Sequence, residues 1–215
     1  MKQYGFVIDK IKDPNAYVLG AAISLPKIIL QSDGQWDKYL PITENQAPNF
    51  ETYGCTVFGT TSAIEILLKK VHGQEFNFAE RYPYNIVGIN PPGADPHNVS
   101  EVIRQKGLIK QESLPVTDTL EEFKTPRPMV DKYLEEGKRF GYTVKHEFVF
   151  NNSDSHEIKV AKMKECLTYS PLGISVTAWI EKDGVYVDGG EPNTHWTVCY
   201  GFDGRGFKVF DSYFP

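Results

Sequence analysis

An α+β fold, with helices gathered in the first part of the chain and strands in the second, follows from three observations. Apolar residues recur near helical spacing most clearly between residues 56 and 72, and after Phe140 the chain turns to short runs rich in Val, Tyr, Phe, Ile and Thr, joined by Asp-Gly turns. A length of 215 residues is enough to bury one sizeable core without staples. Together these predict a helical lobe packed against a sheet lobe, with ligand binding at their boundary.

The strongest helix runs from Thr56 to His72. Val57, Phe58, Ile64, Leu67, Leu68 and Val71 form its stripe, Lys69, Lys70 and His72 suit its last turn, and Gly73 suits its cap. The stretch "GADPHNVSEVIRQKGLIKQE" predicts a second helix with Val99, Val102 and Ile103 on one side and a stop at Gly107, and a third is expected across Pro128 to Gly141. The extended runs are "YTVKHEFVF", "LGISVTAWIEKDGVYVDGG" and "HWTVCYGFDGRGFKVFDSYF", interrupted by one helix around "SDSHEIKVAKMKECLTYSP".

Composition excludes several functions. The formal charge is -5, from 23 Lys+Arg against 28 Asp+Glu with the basic residues scattered, so no footprint for a phosphate backbone exists and nucleic acid is not an expected partner. No apolar run approaches the roughly 20 residues a membrane span needs, and the charged N-terminal stretch reads as neither signal peptide nor anchor. Cys55, Cys166 and Cys199 are odd in number and widely spaced, which encodes neither a disulfide framework nor a zinc site and fits a cytoplasmic or otherwise reducing compartment. The five histidines lack ligand spacing, so no metal or cofactor is expected. His97, His146 and His156 read as solvated, and Cys166 and Cys199 as core.

Cys55 opens the strongest helix, in "NFETYGCTVFGTTSAIEILLKKVHG". Orphan N–H groups and the helix dipole favour a thiolate there, and a neighbouring imidazolium helps to bring a thiol from about 8.5 to roughly 3.5 to 7.5. A lone cysteine at a helix start is more often packing. His195 in "NTHWTVCYGF" and Asp211 in "FKVFDSYF" change that balance, because a hairpin through "DGRG" brings them towards neighbouring strands. Nucleophile, base and a third group that holds the base's far ring nitrogen are the three roles of a covalent catalytic triad.

The same residues carry a family resemblance. "QWDKYLPITENQAPNFETYGCTVFGTTSAIE" resembles the start of a mature papain-like cysteine peptidase, where a run containing Trp, Pro and Gln leads to the cysteine of the central helix. "NFAERYPYNIVGINPPGADPHNVSEVIRQKGLIKQESLPVT", "PLGISVTAWIEKDGVYVDG" and "HWTVCYGFDGRGFKVFDS" are similar to later family segments in the same order, and 140 positions separate Cys55 from His195, within the family's spacing of roughly 130 to 150. The resemblance implies a two-lobe papain-like fold, with residues 1–34 as an N-terminal extension and 35–215 as the domain, mainly helical over 35–140 and mainly strand over 141–215.

It also implies roles. Cys55 matches the nucleophile, His195 the general base and acid, Asp211 the position where the family usually has Asn, and Gln46 the glutamine of the oxyanion hole. Gly93 and Ala94 match the place where extended substrate pairs with the backbone, while Ala178, Asn193, Thr194 and Trp196 are expected near the primary pockets. The partner is then a protein or peptide substrate, cleaved through an acyl-enzyme.

Departures from the pattern matter as well. Nine positions separate Gln46 from Cys55, so an inserted loop must let Gln46 reach its place. Thr56 replaces the family's Trp after the nucleophile, and Asp211-Ser212-Tyr213-Phe214 replaces Asn-Ser-Trp-Gly. Asp211 should form an ion pair with His195. The short extension implies latency unlike the usual long prosegment. The chain stops at Pro215 where a papain-like sheet would continue, so either "MKQYGFVIDKIK" adds a strand to an abbreviated lobe or the polypeptide is a piece of a longer one. Rival readings are a leader-peptide peptidase, a thiol acyltransferase and a catalytically silent peptide-binding module.

Overall fold

The computed structural model describes residues 5–6, 28–42, 45–47, 49–142, 144–177, 180–187, 190 and 194–213. Its central element is α1, Cys55–His72, closed by Gly73 at φ 69°, whose N–H bonds to the Lys69 carbonyl. Two faces of this helix are buried in different surroundings. Val57, Phe58, Ile64 and Leu68 join Phe78, Tyr84, Val99, Ile103 and Phe123 in one core cluster, whereas Ile66 joins Trp36, Leu167, Leu172, Val198 and Cys199 in another. A helix walled on both sides must also bury polar groups, and two of these find partners: Ser62 Oγ donates to the Phe58 carbonyl, and Glu65 accepts the Phe78 N–H, each at 2.8 Å.

Short helices α2 (Arg81–Val87), α3 (Pro96–Lys106) and α4 (Leu120–Phe123) complete the first cluster, whereas α5 (Asp131–Gly137) packs Tyr133 and Leu134 on a smaller one of Ala79, Tyr82, Ile109 and Leu114. α3 stops at Gly107 as its sequence predicts and begins on a cap, with Asp95 accepting the His97 and Asn98 N–H groups and Pro96 in the first turn. Arg81 ties down the following loop by donating to the carbonyls of Pro115, Phe123, Glu122 and Thr125. The helix expected across Pro128 to Gly141 is shorter than that, spanning only Asp131–Gly137. Gly137 sits so close to its neighbours that an added Cβ would lie 2.2 Å from the Tyr82 hydroxyl, and beyond it Phe140 and Tyr142 turn into an aromatic cluster with Phe76 and Phe78.

The run "YTVKHEFVF" forms no named strand among its described residues. Its side chains anchor it to the first lobe instead: Tyr142 on His72 and Phe76, His146 on His97, and Phe148 on the His97 ring. Tertiary packing has overridden β propensity there.

The second lobe follows α6, His156–Cys166, which Ser155 caps. Strands β3 (Leu172–Val176), β6 (His195–Phe202) and β7 (Phe207–Phe210) form an antiparallel sheet in the order β3-β6-β7. β4 (Ile180–Lys182) and β5 (Val185–Val187) make a separate hairpin. Its Asp183-Gly184 turn has positive φ at both residues, 54° and 73°, as a tight hairpin requires.

Trp196 docks this sheet on α1. A Cβ added to Gly59 of α1 would lie 2.9 Å from the indole, and one added to Gly173 of β3 2.2 Å from it, so both glycines make room for one ring. That close approach brings the start of β6 to the start of α1. Of the stretch "MKQYGFVIDKIK", one of two alternatives being that it adds a strand, only Gly5–Phe6 (β1) is described; it pairs in parallel with Gly93–Ala94 (β2), Gly5 opposite Gly93 and Phe6 opposite Ala94.

Candidate active site

Cys55 is the first residue of α1 and is fully buried. Gly54 precedes it, where a Cβ would crowd the Phe58 ring at 3.3 Å. The thiol faces the backbone N–H of Trp196, and the charges of Asp211 and Glu51 act on it. Burial pushes the thiol well above the usual range, and the two carboxylates add to that, while the Trp196 and Thr56 N–H groups pull the other way. The expectation of an acidified thiol is therefore reversed in this conformation. Desolvation at zero exposure outweighs the helix N-terminus, and Cys55 rests protonated.

His195 begins β6, opposite Val176 of β3, and is also fully buried. Its Nε2 lies 2.6 Å from Asp211 Oδ2, so the two side chains that the sequence pairs are in hydrogen-bonding contact. Asp211 follows the last residue of β7, and its second oxygen accepts the Tyr213 N–H at 2.8 Å. Both carboxylate oxygens are thus used, which fixes the plane in which the imidazole is held. With Nε2 on Asp211, the ring's Nδ1 points away from the carboxylate. Tyr213 covers one side of the imidazole, ring centroids 5.2 Å apart.

Gln46 reaches the same place. The nine-position spacing is absorbed by a tight loop in which Tyr53 takes φ 57° and the Gly54 N–H bonds to Thr52 Oγ1. Gln46 is fully buried, its N–H donates to the Ser212 carbonyl at 3.0 Å, its Oε1 accepts Ser212 Oγ at 2.7 Å, and its Nε2 donates to Glu51 at 3.4 Å. Gln46 and Asp211 therefore converge on one turn, 211–213.

The remaining predicted positions divide. Gly93 and Ala94 form β2, whose backbone pairs with β1 of the same chain. Trp196 stacks on Phe6 at 5.8 Å and 12°. Thr194 donates its N–H to the Val176 carbonyl. Ala178 and Asn193 lie outside the described residues. Cys166 and Cys199 are buried in the second cluster, as expected, but His97 and His146 are not simply solvated, since their ring nitrogens lie 2.8 Å apart. Glu51 and Tyr213 are site residues that sequence reasoning missed. The signal for Glu51 was an acid in the loop before Cys55, and for Tyr213 its place two residues after Asp211.

Among the described residues no group of three or more His, Cys, Asp or Glu is arranged to hold a metal, and no helix is long and apolar enough to cross a membrane.

Comparison with solved structures identifies the fold as papain-like. The chain is similar to xylellain, a cysteine protease from Xylella fastidiosa, with 19% identity and a TM-score of 0.63 over 99% of this chain and 85% of that one. It is similar to digestive procathepsin L2 proteinase from the larval midgut of Tenebrio molitor, with 15% identity and a TM-score of 0.65 over 98% and 68%. Digestive procathepsin L 3 of the same tissue matches at 12% identity and a TM-score of 0.60, covering 88% of this chain, which spans 63% of that protein's length. No family model and no curated protein sequence matches the chain.

Proposed function

We propose that the chain is a cysteine endopeptidase that hydrolyses peptide bonds through an acyl-enzyme. The observation that carries this reading is a buried thiol at the head of the central helix that faces the backbone N–H of Trp196, the residue after His195, whose Nε2 is held at 2.6 Å by Asp211. His195 takes the Cys55 proton, the sulfur bonds to the scissile carbonyl carbon, and the negative oxygen is received by the Gln46 amide and the Cys55 backbone N–H. His195 returns that proton to the leaving amine as the C–N bond breaks. Water then attacks the thioester, giving a proton to His195, and the C–S bond breaks to release the acid and the thiol.

Substrate in extended form would pair with Gly93–Ala94, with Ala178, Asn193, Thr194 and Trp196 around the primary pockets. A second reading is favoured by one observation: β1 already sits on that edge, as in a peptide-binding module that does no chemistry. Cleavage of an unstructured protein substrate, compared with Cys55→Ala and repeated with an added primary amine, tests the proposal. Hydrolysis lost in Cys55→Ala supports the peptidase. Ligation to the amine in place of hydrolysis means acyl transfer, and no turnover by the wild type means the silent module.

A further inference from the structure

Glu51 lies four residues before Cys55 and is half-buried. It makes more connections within the site than the proposed reaction has so far used. Oε1 accepts the Tyr53 N–H at 2.7 Å and the Gln46 Nε2 at 3.4 Å, and Oε2 accepts the Tyr213 hydroxyl at 2.5 Å. One carboxylate thus joins the turn before the nucleophile, the predicted oxyanion donor and the turn after Asp211.

The chemistry of these partners is directional. A carboxylate only accepts, so the end of the Gln46 amide that faces Glu51 must be its NH2, and the carbonyl end is left to Ser212. Ser212 could not enforce that choice, because a hydroxyl donates or accepts equally well. An NH2 has two hydrogens and the 3.4 Å bond to Glu51 uses one of them weakly, leaving a donor for a developing oxyanion. Tyr213 extends the same logic, since its hydroxyl goes to Glu51 while its N–H goes to Asp211. Burial, followed by the Glu51 bond, raises the Tyr213 phenol, which stays a donor across the working range.

Resting on the peptidase reading, we propose that Glu51 is a positioning residue of the reaction: it sets the orientation of the Gln46 amide and, through Tyr213, couples it to the turn that carries Asp211. Its charge has a second effect. The charged and titratable groups that act on the Cys55 thiol are Asp211, Glu51 and Tyr213, with His195 held between Asp211 and the Tyr213 ring, and Glu51 opposes the thiolate. Tyr84 is the other titratable group on which Glu51 acts, and its phenol is pushed up to about 12, mainly by burial.

The test compares wild type with Glu51→Gln and Tyr213→Phe, measuring peptide turnover and the pH dependence of Cys55 alkylation by iodoacetamide, with thermal unfolding in parallel. Glu51→Gln keeps size but can donate or accept, so the Gln46 amide loses its fixed direction. Turnover should fall about tenfold with KM nearly unchanged, a fraction of the 10²- to 10³-fold typical of losing a whole oxyanion donor. With the negative charge gone, the acid limb of alkylation should move to lower pH by about half a unit to one unit. Tyr213→Phe keeps the charge, so turnover should fall while the acid limb stays in place. A Glu51→Gln protein that folds, with turnover and acid limb both superimposable on wild type, overturns the role. A turnover loss that tracks lost thermal stability with the limb unmoved also overturns it, showing a merely structural contact. Alkylation that is indifferent to His195→Ala defeats the peptidase reading, and this role with it.

Discussion

Cys55 and Cys199 are both fully buried, and burial raises both thiols, yet their surroundings differ in kind. Cys199 lies in the middle of β6 in the cluster of Trp36, Ile66, Leu167 and Val198, and its sulfur donates only a long 3.6 Å bond to the Gly201 carbonyl. Cys55 lies at a helix start, against the Trp196 N–H, close to a histidine–aspartate pair and a second carboxylate. Strand β6 supplies both Cys199 and, four residues earlier, His195. Burial therefore sets the resting protonation of a thiol, and its polar neighbours decide whether it can be made to react.

The largest effect that could break this comparison is on turnover. Cys55→Ala and His195→Ala should each lower peptide cleavage by about 10⁴-fold or more, since the proposed mechanism needs both as nucleophile and base. Cys199→Ala should leave cleavage within about twofold and cost roughly 1 kcal/mol of stability, measured by urea unfolding. A folded Cys199→Ala protein without activity would contradict the division of roles.

Next in size, Asp211→Ala should lower turnover by about 10²-fold while the chain stays folded, because the imidazole loses the group that holds its Nε2. Steady-state kinetics on a peptide substrate checks this. A smaller and opposite change is expected at β1. Phe6 stacks on Trp196 and its backbone pairs with Ala94, so Phe6→Ala should free that edge and raise kcat/KM severalfold, in line with about 1 kcal/mol for a stacked pair. Unchanged kcat/KM would mean that β1 does not compete with substrate.

A separate effect, on stability and not on turnover, is expected at alkaline pH. The Cys199 thiol is pushed up from 9.0 to about 12, so the unfolded chain gives up this proton first and the folded state loses stability as pH rises from about 9 through 12. Tyr82 and Tyr84, pushed up to about 12 from 10.0, add to the fall over its upper part. Urea unfolding midpoints at pH 9 and 11 should differ less in Cys199→Ala than in wild type.

Local chemistry explains what the sequence made legible. α1, α3 and the hairpin turns were readable because their signals lie within a few residues: Gly73 and Gly107 as stops, and the Asp-Gly turn at 183–184. Cys55, His195, Asp211 and Gln46 stood out as a set because their order and spacing match a known pattern; in the described structure Asp211 holds His195, Gln46 bonds to Ser212 of the same turn, and Cys55 opens α1. The misses arise from long-range packing. The helix across Pro128 to Gly141 is cut short where Gly137 meets Tyr82, and "YTVKHEFVF" is held by aromatic contacts with the first lobe. The raised Cys55 thiol was not legible either, because desolvation depends on what covers the sulfur, and residues far along the chain provide that cover. Glu51 acquires meaning only when Gln46 and Tyr213 are brought to it.

The most direct measurement is labelling with a peptidyl epoxide at neutral pH, with the adduct mapped by mass spectrometry in wild type, Cys55→Ala and His195→Ala. A single adduct on Cys55 that disappears in His195→Ala is the predicted result, identifying one activated thiol in a cleft that accepts a peptide. No adduct, or equal labelling of Cys55, Cys166 and Cys199, would contradict the account and leave Cys55 as a packing residue like Cys199.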